Sequence, residues 1–263
     1  VVAVTVWSFI DYFDQFLWGL YLKRWDNDEF KARQALRSIV PNLFSVLNLF
    51  LGFLAIYYAC NFAFREAALL LVMCVVLDAI DGSIARRLNA QTKLGAYLDT
   101  AADFISFGVL PSVVIYFHLL PFGQTWVTIL AALIYAFAAG FRLVRFLSTG
   151  HSDFFEGIPS PFSASIIIFS VISVLFSSFY VFIVLVILMI GLMVSKFRYP
   201  HRQVASKRRF LKFVKFPAFV FTILSIGMLV RGQSGFNFFV YDILIMIFCL
   251  YILSPIVYRN ETE

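Results

Sequence analysis

Charged residues are scarce in this sequence of 263 residues. Asp, Glu, Lys and Arg make up only 14% of it, whereas 62% of the residues are apolar. Soluble globular domains are about one quarter charged. So few charges cannot cover a soluble surface, and so large an apolar fraction excludes disordered and fibrous proteins as well. The composition therefore predicts an all-α, polytopic membrane protein.

Cysteine and glycine-rich loops are also lacking. The three cysteines, Cys60, Cys74 and Cys249, are scattered, and their spacing indicates neither a disulfide framework nor a zinc site. The sequence contains no Walker-type or dinucleotide-binding glycine loop. Any phosphate chemistry must therefore depend on metal ions and arginine side chains.

Long apolar runs predict about eight transmembrane helices, because a spanning helix takes about 20 apolar residues. The predicted spans are 42–60, 67–86, 94–119, 126–147, 162–176, 179–195, 214–230 and 238–258. Most of the connections between them contain proline, glycine or a polar cluster, which are the usual breaks between helices.

The predicted organisation has four parts. They are interfacial and amphipathic helices at 1–40, a six-helix core at 41–196, a basic loop at 197–215, and two C-terminal transmembrane helices with a short tail at 216–263. Asp11 and Asp14 interrupt the apolar stretch 1–22, which either lies in the membrane interface or spans it. The stretch 25–39 has one apolar and one charged face, and we expect it on the cytoplasmic surface.

Lys and Arg fall almost entirely on one side of the predicted spans. Of the 21 such residues, only Arg65 and Arg231 lie in loops on the other side. Basic loops remain cytoplasmic, so we expect a multi-pass protein of the inner or plasma membrane whose functional site faces the cytoplasm. The same bias explains the net charge of +6. It indicates contact with anionic lipids and no nucleic-acid partner.

Four carboxylates lie within 26 residues, inside or at the ends of two predicted spans: Asp78, Asp81, Asp99 and Asp103. A charged carboxylate at membrane depth costs roughly 2.5–3.5 kcal/mol, so four of them in two spans indicate a functional site. The first pair is spaced i,i+3 and the second i,i+4, so each pair shares a helix face. Facing carboxylates repel one another unless cations lie between them. Hard oxygen ligands suit Mg²⁺ or Mn²⁺, and two such ions promote displacement at phosphorus.

Small and basic residues accompany these carboxylates. Gly82, Ala85 and Gly95 lack bulk, and so allow another helix or a flat ligand to approach the backbone closely. Arg86 follows at the predicted membrane surface, where its guanidinium is suited to a phosphate.

Together the eight residues match the pattern D-x2-D-G-x2-A-R-x8-G-x3-D-x3-D at every fixed position. The chain thereby resembles the CDP-alcohol phosphotransferase family over about residues 41–195. Three further stretches resemble the branch of that family that uses serine as acceptor: 41–52, 103–111 and 155–161. Ser45 stands where this branch often has Thr, and Phe162-Ser163 stands where small Ala residues are usual.

The resemblance implies a reaction and a role for each motif residue. Asp78, Asp81 and Asp99 would be metal ligands, and Asp103 would be both a ligand and the general base for the L-serine hydroxyl. The residues that bind CDP would be Asp78, Gly82, Ala85, Arg86, Gly95 and Asp99. The other substrate would be CDP-diacylglycerol, with CMP as the leaving group. The resemblance also implies that the protein forms a homodimer and that it contacts membrane lipids.

Four further residues are candidates for contact with the acceptor or a lipid phosphate. Arg142 and Arg145, one turn apart on the same predicted side as the aspartates, either anchor the cytoplasmic surface or bind the serine carboxylate or a lipid phosphate. Glu156 is either a solvated loop residue or a contact for the serine ammonium. Asn48 either bonds to a neighbouring helix or lines the site.

Two other functions remain open from the sequence. A sister transferase would carry the same pattern and use glycerol phosphate, inositol phosphate or choline as acceptor. A transporter or a non-enzymatic membrane protein could hold cations at the aspartates, but it would have no need of small residues at these spacings.

Overall fold

The computed structural model of the protein describes residues 29–87, 92–149, 154–173, 176–195 and 198–200. Its α-helices are α1 Glu29–Cys60, α2 Phe64–Arg87, α3 Lys93–Phe104, α4 Leu110–Leu119, α5 Thr125–Thr149, α6 Ser160–Ile172 and α7 Phe179–Val194. The predicted interfacial stretch 1–22, most of the basic loop and the two C-terminal spans lie outside the described residues.

Four stretches are long and apolar enough to cross a membrane. They are Asn42–Cys60, Phe64–Ile84, Gly95–Phe122 and Thr125–Ser148. The first four predicted spans are thereby confirmed to within a few residues. The fifth and sixth correspond to α6 and α7, which have 13 and 16 residues. The part of the chain that the structure describes is thus helical and typical of a membrane protein, apart from one small β-ladder.

Helix α1 is longer than predicted. It runs without a break for 32 residues from Glu29 through Pro41 to Cys60. The amphipathic stretch 25–39 and the first span 42–60 were predicted as two regions of the chain. The described part of the first region and the whole of the second lie in this one helix.

The third apolar stretch is interrupted by a π-helical turn, Ile105–Val109, between α3 and α4. Its defining bond runs from the Leu110 N–H to the carbonyl of Ile105, five residues back. Pro111 follows in the first turn of α4. Proline has no N–H to donate, and its ring crowds the carbonyl four residues earlier, so the regular hydrogen-bond ladder cannot pass this point. The π-turn accommodates this interruption of the hydrogen-bond ladder.

Backbone contacts divide the chain into two units, which are described separately. The first takes α1 up to residue 47, α2 from residue 76 and α3 up to residue 100. The second takes the remainder of these helices and the elements that follow. The boundaries between the units, at residues 47/48, 75/76 and 100/101, each fall inside a continuous helix.

The second unit holds two buried apolar clusters. One joins α1, α2, the π-turn, α4 and α6 through residues such as Ala59, Leu71 and Ile168. The other joins α4, α5, α6 and α7 through residues such as Ile115 and Phe182. Because α4 and α6 contribute to both clusters, they are enclosed by protein, while apolar side chains on the outer faces of the other helices are exposed, as lipid contact requires.

A short antiparallel ladder was not predicted. Strand β1 (Phe154–Glu156) pairs with β2 (Arg198–Pro200), with Glu156 opposite Arg198. Between β1 and α6, Gly157 has a φ of +75°, a conformation that glycine adopts at no steric cost. A Cβ there would also lie 2.5 Å from the carbonyl oxygen of Met193. Position 157 therefore requires glycine.

Candidate active site

Two aspartates of the motif lie close together. In the first unit, carboxylate oxygens of Asp78 on α2 and Asp99 on α3 lie within 4.8 Å of each other. Asp103 follows Asp99 by one turn of the same helix. All three residues are half-buried. The spacing of the motif thus brings two of its carboxylates together in space.

This pair of carboxylates fits a divalent cation. One oxygen of Asp99, Oδ1, is buried and has no hydrogen-bond partner among the residues that the structure describes. Carboxylates this close repel one another, and each buried unsatisfied oxygen costs free energy. A hard cation coordinated by these oxygens would remove both penalties.

Asp81 is held by the protein itself. It is only 3% exposed, and the hydroxyl of Ser45 on α1 donates a hydrogen bond to its Oδ2 at 3.1 Å. Ser45 stands where the resembling branch often has Thr, and either residue supplies this hydroxyl. The contact gives Ser45 a role that the sequence did not reveal, namely orienting a motif carboxylate.

Gly95 is needed for helix packing. A Cβ at this position would lie 2.6 Å from Oδ1 of Asn42 on α1 and 3.1 Å from Oγ1 of Thr92. Thr92 also accepts the Gly95 N–H through its hydroxyl oxygen at 3.1 Å, which is the usual N-cap contact. The absence of a side chain thus lets α1 approach the start of α3. The predicted contact of Gly95 with CDP stays a prediction.

The other motif residues are less fully described. Gly82 is half-buried on α2. Ala85 and Arg86 belong to the same helix, but their side chains lie outside the described part of the structure, as does the side chain of Glu156 in β1. Their predicted roles remain predictions.

Arg142 lies in a polar row between α5 and α6. Its guanidinium donates to the hydroxyl oxygen of Ser160 at the start of α6. Two turns earlier on α5, the fully buried Tyr135 shares a hydrogen bond of 3.0 Å with Ser163. Ser163 is one of the two positions where the sequence departs from the usual Ala, and Tyr135 is the partner that satisfies its hydroxyl.

Arg145 is occupied by the end of α7. Its guanidinium donates to the carbonyl oxygens of Val194, Met193 and Ser195 at 3.1, 3.2 and 3.3 Å. The last carbonyls of a helix have no partner within the helix and carry partial negative charge, which a cation stabilises. Arg145 is therefore a helix cap here, an outcome that residue spacing could not reveal.

Asn48 bonds to neighbouring helices. Ser106 in the π-turn donates to Oδ1 of Asn48 at 3.2 Å, and the thiol of Cys74 on α2 donates to the Asn48 carbonyl at 3.7 Å. Both Asn48 and Ser106 are completely buried. Of the two interpretations left open by the sequence, the interhelical bond is observed.

Comparison with known proteins identifies the family. The sequence profile described as CDP-alcohol phosphatidyltransferase matches residues 38–191, more than half of the chain. A CDP-diacylglycerol–serine O-phosphatidyltransferase from Helicobacter pylori is 38% identical over 62% of this chain and 72% of its own length.

Two further relatives agree with this match. A protein of the same name from Bacillus subtilis is 34% identical over 62% of this chain and 91% of its own length. An archaetidylserine synthase from Methanothermobacter thermautotrophicus is 30% identical over 61% of this chain and 69% of its own length. With the profile covering the motif aspartates and all four long apolar stretches, the chain belongs to the CDP-alcohol phosphatidyltransferase family.

Proposed function

We propose that this protein is a CDP-diacylglycerol–serine O-phosphatidyltransferase. It transfers the phosphatidyl group of CDP-diacylglycerol to the hydroxyl of L-serine and releases CMP. The observation that carries the proposal is the approach of Asp78 to Asp99 within the first unit, in a chain whose relatives bear this activity in their names. A diacyl substrate also explains why chemistry on a polar headgroup takes place in a protein built of membrane helices.

Members of this family generally depend on divalent metal, and we propose two Mg²⁺ or Mn²⁺ ions as the cofactor. Asp78, Asp99 and Asp103 would hold them together with Asp81, whose orientation Ser45 fixes. When bound, the ions neutralise the negative charge of the pyrophosphate and of the departing CMP. Gly82, Ala85, Arg86 and Gly95 complete the proposed binding region for CDP.

Asp103 is the proposed general base. A serine hydroxyl is a weak nucleophile at neutral pH and needs a positioned base to accept its proton. The serine oxygen attacks the phosphatidyl phosphorus, the bond from this phosphorus to the CMP oxygen breaks, and the hydroxyl proton passes to Asp103. The last position in the motif, nearest the π-turn, sets Asp103 apart from the other three carboxylates along the chain.

Arg142 is the proposed contact for the serine carboxylate. Of the two candidate arginines, Arg145 caps the end of α7, whereas Arg142 donates to Ser160, which lies in the stretch 155–161 that resembles the serine-using branch. A guanidinium meets a carboxylate with two parallel hydrogen bonds, which suits this role. Glu156, the last residue of β1, is the proposed partner of the serine ammonium.

The proposed setting is a homodimer in the inner or plasma membrane, with the aspartates on the cytoplasmic side. The distribution of Lys and Arg supports this orientation, since only Arg65 and Arg231 of 21 basic residues fall on the other side of the predicted spans. Membrane lipids would contact the exposed apolar faces of the helices.

The test is CMP release from CDP-diacylglycerol by the purified protein with one acceptor supplied at a time. L-serine should support release, and EDTA should abolish it. Release that depends instead on glycerol 3-phosphate, inositol phosphate or choline would assign the protein to a sister transferase. No release with any acceptor, in lipid and with Mg²⁺ or Mn²⁺ present, would contradict the proposal.

A further inference from the structure

The π-turn after Asp103 is a weak point in its own helix. The turn occupies Ile105–Val109 and begins two residues after the proposed base. Its wider hydrogen-bond pattern and Pro111 interrupt the regular ladder, so the backbone there is held less firmly than in an α-helix. A carboxylate next to such a turn needs a tether from outside the helix if its direction is to be fixed.

The structure contains such a tether. Ser106, three residues after Asp103, donates to Oδ1 of Asn48 at 3.2 Å across 58 residues of sequence. Both side chains are completely buried, where water cannot compete for the bond. The Asn48 carbonyl also accepts the thiol of Cys74 at 3.7 Å, so α1, α2 and the π-turn meet at this point.

Gly52 makes the contact possible. It lies one turn after Asn48 on α1, and a Cβ there would lie 2.6 Å from the Ser106 hydroxyl oxygen and 3.2 Å from a methyl group of Ile105. The missing side chain therefore allows the π-turn to approach α1 closely enough for the hydrogen bond. Asn48, Gly52 and Ser106, which come from two distant parts of the sequence, together form one contact between α1 and the π-turn.

We propose that Asn48 and Ser106 are positioning residues for the transfer reaction: their hydrogen bond holds the π-turn on α1 and thereby fixes the direction of the Asp103 carboxylate. This inference rests on the proposed function, since it assigns Asp103 the role of base. Neither residue touches the substrates in this proposal. Their effect passes through the backbone from Ser106 to Asp103.

The test compares steady-state kinetics of Ser106→Ala, Asn48→Ala and the double variant in the full-length protein. Because small misplacements of a catalytic group reduce turnover strongly, each single change should lower kcat by about ten- to a hundredfold. The KM values for CDP-diacylglycerol and for serine should change by less than about threefold (about 0.7 kcal/mol). The double variant should lose no more than the more affected single variant, because both changes remove the same bond.

Two further variants separate positioning from a general loss of structure. Ser170→Ala is the matched control, since its hydroxyl is buried on α6 and bonds to carbonyls of that same helix, those of Ile166 and Ile167 at 2.7 and 2.9 Å; it should retain wild-type kcat. Gly52→Ala should lower kcat in the wild-type background but not further in the Ser106→Ala background. Ser106→Thr, which keeps the hydroxyl, should restore most of the turnover lost in Ser106→Ala.

Each outcome is decisive for one of the two proposals. A wild-type protein without serine-dependent CMP release contradicts the proposed function itself. An active wild type with kcat of Ser106→Ala and Asn48→Ala within twofold of normal overturns the positioning role alone. The positioning role is also overturned if the losses in kcat multiply in the double variant, or if KM rises without a fall in kcat. If Ser106→Ala cannot be purified as folded protein, Asn48→Ala and Gly52→Ala apply the same criteria.

Discussion

The aspartates of the motif differ in their burial and in their hydrogen-bond partners. Asp81 is buried and receives a hydrogen bond from Ser45, whereas Asp78 and Asp99 are half-buried and have oxygens within 4.8 Å of each other. A carboxylate fixed by a neighbouring hydroxyl is oriented before any ligand arrives. Such partners of metal ligands commonly affect metal affinity or activity by about 10- to 100-fold.

Ser45→Ala should therefore reduce serine-dependent CMP release by about tenfold or more and raise the Mg²⁺ concentration needed for half-maximal activity. Ser45→Thr, which keeps the hydroxyl, should remain close to wild type. The matched control is Ser83→Ala on α2, because the Ser83 hydroxyl bonds to the Ala79 carbonyl of its own helix at 2.7 Å. A magnesium titration that is unchanged in Ser45→Ala would show that the bond to Asp81 has no part in catalysis.

At the scale of secondary-structure elements, the end of α7 is fastened at several points. Leu192 accepts the Ile158 N–H at 3.2 Å, and Arg145 donates to the three carbonyls that follow. Gly157 fits against Met193 only because it has no side chain. These contacts fix the segment between β1 and α6, and so the position of Ser160, to which Arg142 is bound.

The two arginines should therefore respond differently to substitution. Arg145→Ala removes a charged donor from several carbonyls and should lower the free energy of unfolding by about 1.5–3 kcal/mol, with a reduced Tm in detergent and little change in the KM for serine of the folded fraction. Arg142→Ala should raise the KM for serine by about tenfold, or about 1.4 kcal/mol, with little change in Tm.

Lysine at each position refines this comparison. Arg142→Lys should restore serine binding only in part, because an ammonium lacks the planar fork that meets a carboxylate with two bonds. Arg145→Lys should recover part of the lost stability, since it keeps a cation at the helix end. An increase in the serine KM that is confined to Arg145→Ala would reverse the roles assigned to the two residues.

At the scale of the whole molecule, the distribution of basic residues predicts how the chain crosses the membrane. Asn61 is exposed in the turn between α1 and α2, and Ser148 is exposed near the end of α5. Counting spans from a cytoplasmic start places Asn61 outside and Ser148 inside. In a background without Cys60, Cys74 and Cys249, a membrane-impermeant maleimide should label Asn61→Cys in intact spheroplasts.

Under the same conditions, Ser148→Cys should be labelled only after the membrane is permeabilised. Mass spectrometry or a gel shift would report the labelling. The reverse pattern would place the aspartates on the outer side and contradict the proposed cytoplasmic site.

The four long spans and the aspartate cluster could be predicted because both follow from local sequence. A helix in lipid needs a certain apolar length, and motif spacing sets which carboxylates share a helix face. The cap formed by Arg145 and the bond from Ser45 to Asp81 could not be predicted, since each joins residues far apart in sequence. Pro111 was a local signal for the interrupted helix, but proline alone does not distinguish a π-turn from a kink.

The lengths of the last two described helices give the surrounding lipid a part in the behaviour of this protein. With 13 and 16 residues, α6 and α7 extend only about 20 and 24 Å, against a hydrocarbon thickness of about 30 Å. Protein encloses α6, but α7 exposes side chains such as Tyr180, Val184 and Ile187. Such hydrophobic mismatch is relieved where the bilayer thins locally. The acyl chains of neighbouring phospholipids therefore set the free-energy cost of this mismatch. These phospholipids share their glycerol backbone and tails with the proposed substrate and product. Bilayer thickness thus becomes a physical link between membrane composition and an enzyme that alters it.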